Sequence, residues 1–330
     1  MAGASARWRR FSTTFSVAAV ASLAVLAGGL VLLDPYDTGR LTPLEPTGMA
    51  EGPPWQVNAS RARDPQFDSA IIGNSRAQML EPAILDEATG SRFVNLSIQG
   101  AGPLELQRVF GVFLRHHPAP RAVIIGVDEW WCRPEQKRGD TFPYWLYAPG
   151  TVEYLRGLVR YQTLEHMPRR FAVLRGDAAM ARPDGYWDYT SLYLGMTGAA
   201  AAQRRMRDGE RRSQSDNPQN TFPAVAILKD MLDALPDSTR VAVVWPPTHT
   251  SYQPSPGSAA ETTLRQCQAA LRDVVTARPG ARLVDWSGDR DFNRDAAGFH
   301  DETHYRKPLA DRLSADVADG LAATAEAATH

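Results

Sequence analysis

Ile71-Ile72-Gly73-Asn74-Ser75-Arg76-Ala77-Gln78 is an apolar run that stops at a glycine and delivers a serine. Phe67 to Ile72 reads as a short buried strand, and Gly73 lets the backbone turn sharply at its end. Glu81, Ile84 and Leu85 continue with helical spacing, which puts Ser75 at the mouth of a helix. A serine there is held clear of the sheet, with helix N-terminal amides nearby to meet a developing negative charge. An ordinary capping serine has the same local pattern. The stretch gains meaning from a second one far along the chain, Asp301-Glu302-Thr303-His304.

Outward from Gly73, strand-like and helix-like patterns alternate. A helix from about Pro82 to Ala88 leads to a second strand, Phe93–Ile98, which ends at Gln99-Gly100-Ala101-Gly102. Leu104, Val109, Phe110, Val112 and Phe113 then form the apolar face of a helix reaching His116. Ala122–Val127 is a third strand, rich in β-branched residues and so buried on both faces. Val241–Trp245 is the fourth, stopped by Pro246-Pro247, and Arg282–Trp286 the fifth. A helix at 260–277 separates those two strands, and a last helix at 308–325 closes the domain. Such alternation predicts an α/β fold, a parallel sheet with helices on both sides, wound right-handed. Ligand sites in these sheets lie beyond the carboxyl ends of the strands. Ser75, Gly100, Asp128 and His249 follow strands one to four, and Asp301 and His304 follow strand five.

The amino terminus has a different character. Arg7, Arg9 and Arg10 precede an uncharged run, Phe15–Leu33. At a 1.5 Å rise, its roughly 19 residues cross most of a ~30 Å hydrocarbon core. A cleaved signal peptide has a shorter apolar region, and no clear Ala-x-Ala site follows here. Residues 1–14 are therefore expected to be cytoplasmic, 15–33 a transmembrane anchor, and the remainder across the membrane. Residues 34–64, with Pro35, Pro43, Pro46, Pro53 and Pro54, read as an extended stalk, and 65–330 as the α/β domain. Between about 133 and 220 the alternation breaks into an aromatic-rich helical insertion, with Tyr144, Trp145, Tyr147, Tyr154, Tyr161, Tyr186, Trp187 and Tyr189. It reads as a lid over the carboxyl edge, its aromatic rings suited to sugar stacking and to packing alike. Arg204-Arg205-Met206-Arg207 and Arg211-Arg212 read as a solvated helix face.

A formal net charge of −1 over 330 residues, with basic residues interspersed among acidic ones, argues against a nucleic-acid binder. Cys132 and Cys267 are too few for a disulfide framework, and no Cys/His spacing calls for a metal. Outside the cytoplasm the two cysteines could pair, but connectivity is not readable from sequence. No cofactor motif is present.

Asp301-x-x-His304 sets an acid and a base about one turn apart. An imidazole can take the proton of a serine hydroxyl while a carboxylate on its other nitrogen fixes the tautomer. With Gly73-Asn74-Ser75 and Gly100, this order resembles the SGNH (GDSL-like) hydrolase superfamily over roughly residues 65–130 and 235–325. Gly73-Asn74-Ser75 is similar to the first block, Asn95–Gly100 to the second, and Asp301–His304 to the last. The resemblance implies a flavodoxin-like three-layer sandwich, with Ser75, His304 and Asp301 as a triad and amides of Ser75 and Gly100 as the oxyanion hole. It is nearer to membrane-anchored bacterial proteins of alginate O-acetylation and teichoic-acid D-alanylation. That implies a single-pass inner-membrane protein with a periplasmic or extracellular domain. It also implies an acylated polysaccharide or envelope glycan as substrate, and a membrane partner delivering the acyl group. One block departs: Gly126-Val127-Asp128-Glu129 stands where Gly-x-Asn-Asp is usual. An ionised carboxylate cannot donate to an oxyanion. A catalytically silent binding or scaffold domain is therefore the alternative, and small lipids or thioesters are alternative substrates. Arg76, Asp128 and His249 are candidate substrate contacts, His249 also a rival base, and Arg76 equally a salt-bridge partner.

Overall fold

Ile71 and Ile72 point to opposite sides of a sheet because successive strand residues alternate, and Ile124 and Ile125 do the same one strand over. Each side therefore needs its own helical cover. The computed structural model, which describes residues 2–42, 45–136, 139–193, 197–208 and 217–327, supplies both. Five parallel strands, β1 (Ser69–Ile72), β2 (Phe93–Asn95), β3 (Ala122–Gly126), β4 (Arg240–Trp245) and β5 (Ala281–Asp285), run in the order β2-β1-β3-β4-β5. This is the flavodoxin-like order, with its switch point between β1 and β3.

Helix α1 (Ala2–Leu33) is the apolar amino-terminal helix, and α2 (Pro54–Arg61) precedes the sheet. α3 (Pro82–Thr89) follows β1, and α4 (Pro103–His116) follows β2. The insertion contributes α5 (Thr151–Leu158), α6 (Tyr161–Leu174), α7 (Thr190–Tyr193) and α8 (Thr197–Asp208). α9 (Pro223–Asp233), α10 (Ala259–Thr276), the short α11 (Asp291–Arg294) and α12 (Lys307–Ala327) complete the chain. Phe110, Phe113, Leu228, Leu232 and Leu271 of α4, α9 and α10 pack with Ile72, Ile125 and Val243. Leu85, Leu313, Val317 and Leu321 of α3 and α12 pack with Ile71, Ile124 and Val244 on the other side. The result is a three-layer α/β sandwich. The insertion divides between both sides: Tyr147, Tyr154 and Leu158 join the first core, and Tyr189 and Met206 the second.

The described residues of 34–64 are packed rather than extended as a stalk. Asp37, 1% exposed, accepts hydrogen bonds from the amides of Thr47 (3.2 Å) and Gly48 (2.9 Å) and from Ser60 Oγ (2.7 Å). It also pairs with Arg63 (3.3 Å) and Arg170 (2.9 Å). Pro54 opens α2 at its first turn, where a missing N–H costs nothing. Two of the prolines that suggest an extended chain, Pro53 and Pro54, thus cap and open a helix.

α1 has the length and composition of a membrane span or signal sequence, with a mean hydropathy of 2.4 over its most apolar window. Its far end belongs to the domain: Leu30 is buried, Met167 of α6 lies against Gly29, and Arg170 Nε donates to the Leu33 carbonyl (3.1 Å).

Cys132 and Cys267 form a disulfide, which joins the turn after β3 to α10 across 135 residues of sequence. Reduction is expected to lower stability by about 2–5 kcal/mol, because a long loop in the unfolded chain loses its constraint. Denaturant midpoints with and without reductant measure it, and a Cys132→Ser/Cys267→Ser variant should match the reduced protein.

Candidate active site

Gly73 serves close approach. A Cβ there would lie 2.4 Å from that of Ala77, so the chain after β1 folds back tightly on its own strand. Residues 74–80 form successive turns, with the Ala77 amide on the Asn74 carbonyl (3.1 Å) and the Leu80 amide on that of Ala77 (3.1 Å). Helix α3 begins only at Pro82. Ser75 therefore sits in a turn rather than at a helix mouth, which corrects the expectation of a helix N-terminus behind it. Ile84 and Leu85 keep helical spacing because they belong to α3, one step later.

Ser75 Oγ lies 2.9 Å from His304 Nε2. His304 Nδ1 lies 2.9 Å from both carboxylate oxygens of Asp301. With Nδ1–H donating to Asp301, Nε2 is left to accept the serine proton. Asp301 Oδ1 also accepts from the amides of Thr303 (2.8 Å) and His304 (2.9 Å), so the acid and its histidine are held by one tight turn. Burial raises the Asp301 pKa, but the hydrogen bond and charge of His304 outweigh it, and the carboxyl ends well below its usual range.

Gly100 is brought level with Ser75. The β1–β2 pairing continues past the strands, with the Ile98 amide on the Gly73 carbonyl (2.9 Å), so both residues lie two positions beyond a paired one. Gly100 turns with φ +68°, a conformation glycine adopts without strain.

The three candidate substrate contacts are buried in the domain, which corrects their reading as ligand-facing groups. Arg76, 5% exposed, forms an ion pair with Glu129, the structural alternative for that residue. Asp128, 3% exposed, accepts from Asn74 Nδ2 through one oxygen and from the Trp130 amide (2.9 Å) through the other. His249, 2% exposed, donates from Nε2 to the Arg294 carbonyl (3.2 Å), and its Nδ1 meets Ser251 Oγ (2.9 Å). With both nitrogens engaged, His249 is no rival to His304. Arg205 is not part of a solvated face either: it pairs with the buried Glu302 at 2.8 Å. Arg211 and Arg212 lie outside the described residues. Among the described residues no group of His, Cys, Asp and Glu is placed to hold a metal.

Two tyrosines of the insertion complete the site. Tyr193 OH donates to Asp301 Oδ2 (2.8 Å). The Tyr189 ring meets His304 edge-on, with centroids 5.5 Å apart. In the sequence Tyr189 stands only among the aromatic residues of the insertion, and nothing there marks Tyr193. No spacing ties either to a triad some hundred residues away; the aromatic run 186–189 was the sole signal.

His300 stacks on Tyr193 (4.7 Å, 10°). Burial, with the charge of Arg306, lowers its pKa from 6.5 to about 4, while Asp188 and Asp301 oppose this weakly. The unfolded chain binds the extra proton first, so this contribution to stability is full above pH 6.5 and is lost as pH falls through about 4. Thermal midpoints should drop across that window, and His300→Phe, which keeps the stack and removes the titration, should flatten the drop.

No family model matches the chain, and no curated protein matches it. Among solved structures, a carbohydrate esterase family 2 enzyme with a carbohydrate binding domain, from Corynascus thermopiles (Myceliophthora fergusii), is similar at 12% identity and a TM-score of 0.37. The likeness covers 79% of this chain and 67% of that one.

Proposed function

We propose that this protein is a membrane-anchored serine esterase or O-acyltransferase acting on an exported polysaccharide or envelope glycan. The observation that carries it is the unbroken chain of contacts from Ser75 through His304 to Asp301. Ser75 Oγ attacks the ester carbonyl carbon while His304 Nε2 takes its proton, and Asp301 holds the imidazolium that results. The carbonyl oxygen becomes an oxyanion facing the amides of Ser75 and Gly100. Collapse expels the alcohol, which leaves with the proton from His304, and an acyl-Ser75 ester remains. Water or a sugar hydroxyl then repeats the sequence as the nucleophile, giving hydrolysis or transfer from one intermediate.

Retention of α1 as an anchor is supported by its packing, since Leu30 and the Leu33 carbonyl are already part of the domain. An anchored domain across the membrane fits a disulfide as well. The glycan substrate and an acyl-donating membrane partner rest on the superfamily resemblance and on the aromatic insertion.

The test uses the full chain in detergent, because removing residues before 35 would strip Leu30 from the core. Release of p-nitrophenolate from p-nitrophenyl acetate, dependent on Ser75, supports the proposal. Added oligosaccharide that becomes acylated assigns transfer, and unmodified oligosaccharide beside free acetate assigns hydrolysis. No cleavage by the wild type would remove the proposal and leave the scaffold alternative.

A further inference from the structure

We propose that the hydroxyl of Tyr189, a residue of the insertion, donates a hydrogen bond to the oxyanion in place of the absent third-block asparagine. The proposal rests on the triad reading above and deepens it. At the asparagine position, Asp128 has both oxygens occupied as acceptors, one by Asn74 and one by the Trp130 amide. It therefore presents no donor to the site, and a position that would supply the oxyanion with a side-chain N–H supplies none.

Tyr189 offers what that position lacks. The residue is 3% exposed, packed in the core cluster that also holds Ala77 and Tyr305. Its ring edge meets His304 at 5.5 Å and 83°. Its hydroxyl lies beside Ser75 and makes no hydrogen bond of normal geometry in the resting protein. Buried hydroxyls are normally satisfied, so one left open beside a nucleophile points to a partner that arrives with the substrate. Burial also raises its pKa well above the ordinary tyrosine value, so the group keeps its proton and remains a donor. The neighbouring Tyr193 differs, because its hydroxyl is already bound to Asp301. In the proposed step no proton leaves Tyr189. The carbonyl oxygen gains negative charge as Ser75 bonds to carbon, and the phenol O–H strengthens its hydrogen bond to that oxygen.

Tyr189→Phe tests this directly, since phenylalanine keeps the ring and its contact with His304 and removes only the hydroxyl. On p-nitrophenyl acetate the variant should lose about 10²-fold in kcat with KM within about twofold, the signature of an interaction made in the transition state. The thermal midpoint should be unchanged. The corresponding thionoester provides a readout that survives partial misfolding. Its sulfur accepts hydrogen bonds weakly, so the penalty of Tyr189→Phe should shrink by about tenfold or more. Loss of folded protein would instead scale both rates alike. A kcat within about threefold of wild type, or equal penalties on the two substrates, would overturn the role of Tyr189 and leave the triad standing. A wild type with no Ser75-dependent cleavage would overturn the triad, and Tyr189 with it.

Discussion

Replacing Ser75 by alanine is expected to lower kcat for p-nitrophenyl acetate by on the order of 10⁴–10⁶. His304→Ala should cost about the same, because the serine hydroxyl is a poor nucleophile until its proton has an acceptor. Asp301→Asn should lose roughly 10⁴-fold, since an amide can hold the ring but in the wrong tautomer and without charge to stabilise an imidazolium. The double variant Ser75→Ala/His304→Ala should be no worse than either single one, as groups that act together fail together. Initial rates with purified full-length protein measure all four. Undiminished turnover in Ser75→Ala would show that hydrolysis comes from elsewhere in the molecule. Additive losses in the double variant would show that the two residues do not share a step, despite the 2.9 Å between them.

Replacing Asp37 by alanine is expected to destabilise the fold by about 3–5 kcal/mol, the cost of removing the carboxylate that the buried Arg170 faces. Asp37 is the acceptor on which three separate stretches converge: Thr47 and Gly48, then Ser60 and Arg63, then Arg170 of α6. Arg170, 4% exposed, also donates to the Leu33 and Gly48 carbonyls, so losing its charge partner loosens the end of α1. Asp37→Asn should be milder, since the amide oxygen still accepts while the charge is gone. Denaturant unfolding in detergent gives both values. A loss below about 1 kcal/mol in Asp37→Ala would mean that residues 34–64 behave as a solvated stalk.

The sheet was legible because its evidence is local. Each strand is a short apolar run, and runs such as Ala122–Gly126 need burial on both faces wherever the chain places them. Boundaries moved by one or two residues at most positions, with larger trims where apolar residues run past the ladder. Phe67 falls before β1, and Leu96 to Ile98 continue the pairing without counting as strand. The helix expected at about Pro82 to Ala88 forms there, but Ser75 stands in the turns ahead of it rather than at its mouth. Close packing of Ala77 against Gly73 and Gly126 holds the segment in turns, and that constraint involves a strand 50 residues on.

By itself, the sequence determined the parallel α/β architecture, the apolar amino-terminal helix, and the placing of Ser75, Asp301 and His304 at the same edge of the sheet. Periodicity and chain order act through neighbours, so one sequence carries them. Only the folded chain shows that the described residues of 34–64 pack, that Cys132 meets Cys267, that Arg76, Asp128 and His249 turn inward, and that Tyr189 and Tyr193 reach the triad. Each depends on a partner distant in the chain: Asp37 and Arg170 are 133 residues apart, Tyr193 and Asp301 108. Charge and aromatic character make such residues suitable for many partners, and only the closed fold selects one.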